Sequence, residues 1–176
     1  DTAFQMTADG MAKVRRAGYI SSAIGGSIVL ADIQIAQGRL HEAMTTYERG
    51  LRGATEPAAP ALAVRGAADM YVGMSDLQRE HNDLKTATHH LLTSQALGEL
   101  AGLPQNPYRW RVAMARVRQA QGDLDGALEL LQDAERVYVS DFFPNVRPIA
   151  ALKTRMWVAQ GKLGEAMDWV REQGLS

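Results

Sequence analysis

The chain has 176 residues, with 19 Lys and Arg against 20 Asp and Glu, four His, no Cys and a formal net charge of −1. That balance argues against binding the nucleic-acid backbone, which needs a concentrated basic surplus, and the missing thiols exclude disulfides and thiolate metal sites. Its most apolar stretch, Ile28 to Ala36, is interrupted by Asp32 and Gln34, so neither a membrane span nor a signal peptide is expected and the cytoplasm is the expected compartment.

In chain order the apolar spacing predicts nine helices, over about 3–16, 19–37, 40–54, 61–81, 84–100, 106–121, 124–139, 147–160 and 163–173. Four of the junctions between them carry one phrase. It reads Ala36-Gln37-Gly38-Arg39-Leu40-His41-Glu42-Ala43 at first, then Glu80 to Ala87 with Asn82 at the turn, Ala120 to Ala127 with Gly122, and Ala159 to Ala166 with Gly161. Successive turn residues lie 44, 40 and 39 positions apart, from 82−38, 122−82 and 161−122. Internal periods in this range mean stacked supersecondary units.

The phrase has a mechanical meaning. A residue that tolerates the left-handed conformation ends one helix, and a Leu two positions later opens the apolar stripe of the next. Each small Ala is followed four residues on by an apolar partner: Ala43/Tyr47, Ala87/Leu91, Ala127/Leu131 and Ala166/Val170. Seven residues before each turn stands another small residue, Ala31, Ser75, Ala115 or Thr154, preceded by Leu30, Met74, Met114 or Lys153. This pattern resembles the tetratricopeptide repeat. That motif has a period of about 34 residues, so the surplus belongs between units, at Gly53 to Pro60, Gly102 to Pro107 and Ser140 to Pro148. HEAT repeats, at about 40–47 residues, are the rival on period alone, and the phrase from turn to Ala favours the tetratricopeptide.

The expected fold is therefore all-α: a right-handed helical-repeat solenoid of antiparallel helix pairs. It is read as one domain over 1–176, with units at roughly 19–54, 61–100, 106–139 and 147–173. Neither end carries a long polar cap and the chain opens at Asp1, so it is expected to be a piece of a longer protein.

Gly18 to Asp32, Gly102-Leu103-Pro104-Gln105-Asn106-Pro107-Tyr108-Arg109-Trp110-Arg111 with its continuation to Arg116, and Gln121 to Leu131 together resemble the tetratricopeptide region of large LuxR-type bacterial regulators of the MalT kind. The resemblance implies a central sensor between an N-terminal ATP-binding module and a C-terminal helix-turn-helix that binds DNA. The chain has no G-x-x-x-x-G-K-[ST] loop and no basic recognition helix, so no cofactor is expected here; ATP and DNA belong to the flanking modules. The partners expected are a small-molecule effector or a protein or peptide, together with those modules.

Catalytic motifs fail. Gly25-Gly26-Ser27-Ile28-Val29 lacks the last Gly of a nucleophile elbow and sits in a helical pattern. No two of His41, His81, His89 and His90 have the i,i+3 or i,i+4 spacing of a helical metal pair, and they read as solvated surface residues. Glu42, Asp125 and Glu165 fall in first turns, where they suit the helix dipole, and Tyr47, Trp157 and Trp169 fall at core spacing. No enzyme is expected.

The tetratricopeptide resemblance places positions 2, 5, 9 and 12 of each first helix on a concave groove. With the Ala of each phrase as position 20, these are Gly25, Ile28, Asp32 and Ile35; Asp69, Val72, Asp76 and Arg79; Arg109, Val112, Arg116 and Gln119; Pro148, Ala151, Arg155 and Val158. The candidate ligand or partner site is Asp32, Asp69, Asp76, Arg79, Arg109, Arg116 and Arg155, acidic at one end and basic at the other. The alternatives are that these groups merely pair with one another, or that the fold is a plain scaffold clamping a peptide without regulatory output.

Overall fold

The structure is a computed structural model and describes residues 5–7, 9–10, 12–13, 20–54, 65–139, 149–172 and 174. The described residues form helices and turns, with no strand among them. The helices are α1 (Ile20–Ala36), α2 (Leu40–Ala54), α3 (Ala67–Glu80), α4 (Leu84–Ala96), α5 (Asn106–Ala120), α6 (Leu124–Arg136), α7 (Ile149–Ala159) and α8 (Leu163–Glu172), with a 3-10 turn at Glu99–Ala101. Described residues within the expected helix 3–16 are also helical. The Gly53 to Pro60 and Ser140 to Pro148 junctions fall mostly outside the described residues.

All four phrases fold alike. Gly38, Asn82, Gly122 and Gly161 have φ of 73, 60, 85 and 74°, and each amide donates to the carbonyl three residues back, on Ile35, Arg79, Gln119 and Val158. The next amide, on Arg39, Asp83, Asp123 or Lys162, reaches five residues back to Gln34, Gln78, Arg118 or Trp157 at 2.8–2.9 Å. This pair of bonds is the Schellman closure, which satisfies carbonyls that a helix end leaves bare. The same Arg39, Asp83, Asp123 and Lys162 then accept, through their own carbonyls, from Ala43, Ala87, Ala127 and Ala166. Asp83 and Asp123 add a side-chain cap, accepting from the Thr86 and Gly126 amides at 3.0 Å.

By contacts the chain divides into two compact units, Asp1–Asn106 and Pro107–Ser176. The core of the first joins Ile24, Ile28, Ala31, Ala43, Tyr47, Met70, Met74 and Leu77. The core of the second joins Tyr108, Ala115, Ala127, Leu128, Leu131, Ala134, Ile149, Leu152 and Met156. The small residues of the motif are the most enclosed: Ala31, Ala43, Ser75, Ala87, Ala115 and Ala127 are all 0% exposed. A Cβ on Gly73 would overlap the buried Tyr47 ring, so a mid-helix glycine, which costs about 1 kcal/mol against alanine, is retained where the first repeat carries a Tyr instead of a Leu.

Buried polar bonds fix the helix pairs in register. Thr46 Oγ1 donates to Gln34 Oε1 at 2.9 Å between α2 and α1, and Ser94 Oγ donates to the Ala68 carbonyl at 2.9 Å between α4 and α3. The helix expected over 84–100 stops at Ala96, because Gly98 takes φ 74° and turns the chain into the 3-10 segment. The helix expected over 61–81 begins at Ala67, behind Gly66 with φ 95°, and residues 61–64 lie outside the described set.

Two outcomes test this packing. Ala127→Leu overfills a fully enclosed contact and is expected to destabilise by about 1–3 kcal/mol in a thermal or urea melt. Asn82 is the one non-glycine with positive φ among the described residues. Asn82→Ala should therefore lower stability by about 1 kcal/mol while Asn82→Gly leaves it unchanged or raises it, and the opposite order would mean the turn is not held left-handed.

Candidate functional site

Helix periodicity places positions 2 and 9 of a first helix on one flank, since seven residues fall only about 20° short of two turns. In the first unit that flank carries Gly25 and Asp32 on α1, and Asp69 and Asp76 on α3. A Cβ on Gly25 would meet nothing within 4 Å and Asp32 is exposed. Asp69 departs from the expectation. It is 4% exposed, and its Oδ2 accepts from the Leu103 amide at 2.8 Å, while Gly66 N donates to the Ala101 carbonyl at 2.7 Å. These two bonds clamp the segment after α4 to the start of α3. Asp69 is a structural tie and leaves the set of ligand contacts.

Asp76 and Arg79 sit together, but with each other. Arg79 Nε donates to Asp76 Oδ1 at 3.4 Å and its Nη2 donates to Glu80 Oε1 at 2.6 Å, leaving the Arg79 side chain largely enclosed. Both of these partners are local, Asp76 three residues back and the adjacent Glu80 on the same helix. Position 5 also departs: Ile28 and Val72 are buried, and Val112 packs on the core of the second unit.

In the second unit Arg109 and Arg116 are half-buried on one flank of α5, and Arg155 is exposed at position 9 of α7. The remaining groove positions there are Val112, Gln119, Pro148, Ala151 and Val158, so this strip contains no acid; Pro148 lies outside the described residues. The whole of α5 carries four arginines and no carboxylate. Arg111 and Arg118, also seven apart, occupy the other flank, where Arg111 Nη1 donates to the Pro107 carbonyl at 2.8 Å and Arg118 pairs with Asp123 at 3.2 Å. Among the described residues no group of three or more metal-ligating side chains converges, and no helix is long and apolar enough to cross a membrane.

Sequence reasoning missed two polar clusters. Lys153, which replaces the apolar neighbour of the other copies, bonds Glu135 Oε2 at 2.8 Å and lies 5.4 Å from the Trp157 ring centroid. His90 is the exception to the solvated histidines. Its ring lies 5.8 Å from that of Tyr71 on α3, and its Nδ1 is buried without a hydrogen-bond partner. Burial lowers its pKa from the ordinary histidine value, neighbouring His89 adds to that, and Asp83 opposes it. Spacing along α4 does not separate His90 from His89; the packing of α4 on α3 does.

The MalT-like TPR region family matches residues 1–176, and the chain belongs to it. Among solved structures, it is similar to BtubC (BKLC) from P. vanneervenii at a TM-score of 0.69 and 13% identity, covering 96% of this chain and 69% of that one. It is also similar to a chain of the APC/C hetero-tetramer Cut9-Hcn1 at a TM-score of 0.65 and 16% identity, covering 93% of this chain and only 30% of that one. At these identities the likeness shows the fold alone, an all-α helical repeat. No curated protein matches the sequence.

The buried imidazole gives a pH dependence of known sign. A histidine whose folded pKa is lowered binds its proton more readily when unfolded, so its contribution to stability is present above about pH 6.5 and is lost as pH falls below it. The melting temperature should drop more between pH 7.5 and 5.5 in the native chain than in His90→Gln, measured by circular dichroism; equal drops would show that His90 titrates as an open surface group.

Proposed function

We propose that this chain is the effector-sensing and partner-binding segment of a LuxR-type transcription regulator, taking its ligand on the first-helix flanks. The observation that carries this reading is family membership over the full 176 residues. The basic strip of Arg109, Arg116 and Arg155 supports it further as a surface for an anionic group, because guanidinium forks bind carboxylate and phosphate in two-point geometry. Asp32 and the Asp76–Arg79 pair would receive a cationic or hydrogen-bonding group. Small rotations between repeats add along a stack, which suits binding here to control of flanking modules. ATP chemistry and DNA contact belong to those modules in this reading, and the segment itself acts in the cytoplasm without catalysing a reaction.

The second reading, a plain scaffold for a partner protein, draws on the solved neighbour that is a chain of the Cut9-Hcn1 hetero-tetramer. The two differ in output: a sensor changes the activity of the joined modules when its ligand binds, and a scaffold does not.

Thermal-shift screening of carboxylated and phosphorylated metabolites supplies the test. For a ligand that raises the melting temperature saturably, Arg109→Ala and Arg116→Ala should each weaken binding by about 1.5–3 kcal/mol, roughly 10- to 150-fold. Arg136→Ala, whose side chain pairs with Asp133 on exposed α6 surface, should change nothing. Ligands indifferent to all three substitutions would remove the strip from the site. Calorimetry with ATP and gel retardation with DNA should both be blank at physiological salt; saturable ATP binding would contradict the assignment of nucleotide chemistry to another module.

A further inference from the structure

Positions 11 and 23 of the first repeat meet across its two helices. They are Gln34 and Thr46, both buried, and Thr46 Oγ1 donates to Gln34 Oε1 at 2.9 Å. The same positions hold Gln78 and His90 in the second repeat, Arg118 and Leu130 in the third, and Trp157 and Trp169 in the fourth. At position 23, therefore, only the second repeat carries a side chain of the type that changes charge between pH 5 and 8.

The face that α3 turns to α4 leaves that side chain unpaired. It runs through Ala68, Tyr71, Ser75 and Gln78, in steps of three and four, and carries no charge. Ser94 Oγ donates to the Ala68 carbonyl at one end of the contact, and further along the His90 ring lies 5.8 Å from the Tyr71 ring, tilted by 36°. His90 Nδ1 and Ser75 Oγ are both buried, and neither has a hydrogen-bond partner. With no acceptor at Nδ1, the neutral ring keeps its hydrogen on Nε2. A proton added at Nδ1 brings a second N–H and a positive charge into this contact, where nothing receives either. The titratable groups around the ring are Tyr71 on α3, and His89 and Asp83 on α4. Tyr71 presents its ring, His89 adds like charge from a ring 6.2 Å away, and the Asp83 carboxylate is engaged with the Thr86 amide at the start of α4.

We propose that the second repeat is a proton-operated joint: charging His90 releases α4 from α3 while the other helix pairs stay closed, and the neutral ring closes the pair again. Where Thr46 ties α2 to α1 through a bond indifferent to pH, His90 holds α4 to α3 only while it is uncharged. Burial, with His89 adding and Asp83 opposing, keeps the pKa of His90 below the ordinary histidine value in the closed pair. An open pair that binds the proton more tightly than the closed one gains population as pH falls. The joint is separate from the arginine strip and holds or fails whatever binds there.

A melting curve reports loss of the whole fold, so the test is local: hydrogen–deuterium exchange of the entire 176-residue chain at pH 7.5 and 5.5, each corrected for intrinsic exchange. Amides of α4 should lose protection by about three- to tenfold at the lower pH, tenfold being the ceiling for one histidine that titrates near 6.5 once open. Amides of α6 should show no such loss. His90→Gln and His90→Phe should each abolish the effect on α4, and His89→Gln should leave most of it. The proposal is overturned by unchanged protection in α4, by equal losses in α4 and α6, which would mean that the chain loosens as a whole, by a loss that survives both substitutions of His90, or by one that disappears with His89→Gln.

Discussion

One backbone conformation at four positions organises the chain. A left-handed residue at 38, 82, 122 and 161 lets the following residue use its amide to close one helix and its carbonyl to open the next. No linker remains between the two helices. That leaves the second helix no choice of exit direction, and the hairpin is set before side chains are considered. The energetic requirement is small but local: an L-residue there costs about 1–2 kcal/mol, which glycine avoids and asparagine partly offsets with its short polar side chain.

Close approach follows from that turn. Once two helices leave a common residue, their separation a turn later is decided by what stands at positions 8 and 20, and alanine or serine at both allows contact without a gap. The last copy relaxes this rule, with Thr154 at position 8 half-buried and Ala166 no longer fully enclosed. Lys153 next to it is compatible with burial only because Glu135 and the Trp157 ring receive its charge. Isolated exposed ion pairs contribute about 0–1 kcal/mol, and this pair matters more for holding α7 against α6 than for its Coulomb energy.

The repeat was legible in the sequence because its signals are local: a turn residue, a Leu two later, an Ala three after that. The turns, the enclosed alanines and the all-helical class follow from spacing alone. What was not legible is non-local. Gly98 ends α4 early although the apolar spacing runs on to 100, since one left-handed glycine outweighs periodicity. Asp69 satisfies the register of a groove residue but is claimed by the Leu103 amide, 34 positions away in sequence. His90 shares a dipeptide with the exposed His89 and differs from it only in meeting Tyr71.

The groove register therefore sorts its own positions by chemistry. Position 5 turns inward, as Ile28 and Val72 are buried, and its residues contribute to the core. Position 2 is mixed, half-buried at Gly25 and Arg109 and buried at Asp69. Position 12 keeps solvent access in every copy, through Ile35, Arg79, Gln119 and Val158, and so does position 9, through Asp32, Asp76, Arg116 and Arg155. Those at position 9 are all charged, two acidic in the first unit and two basic in the second. Charge at position 9 is compatible with this water access, because a buried, unpaired charge would cost several kcal/mol. The charge at position 9 can therefore change sign from copy to copy without touching the turn or the alanine contacts that hold the hairpins together.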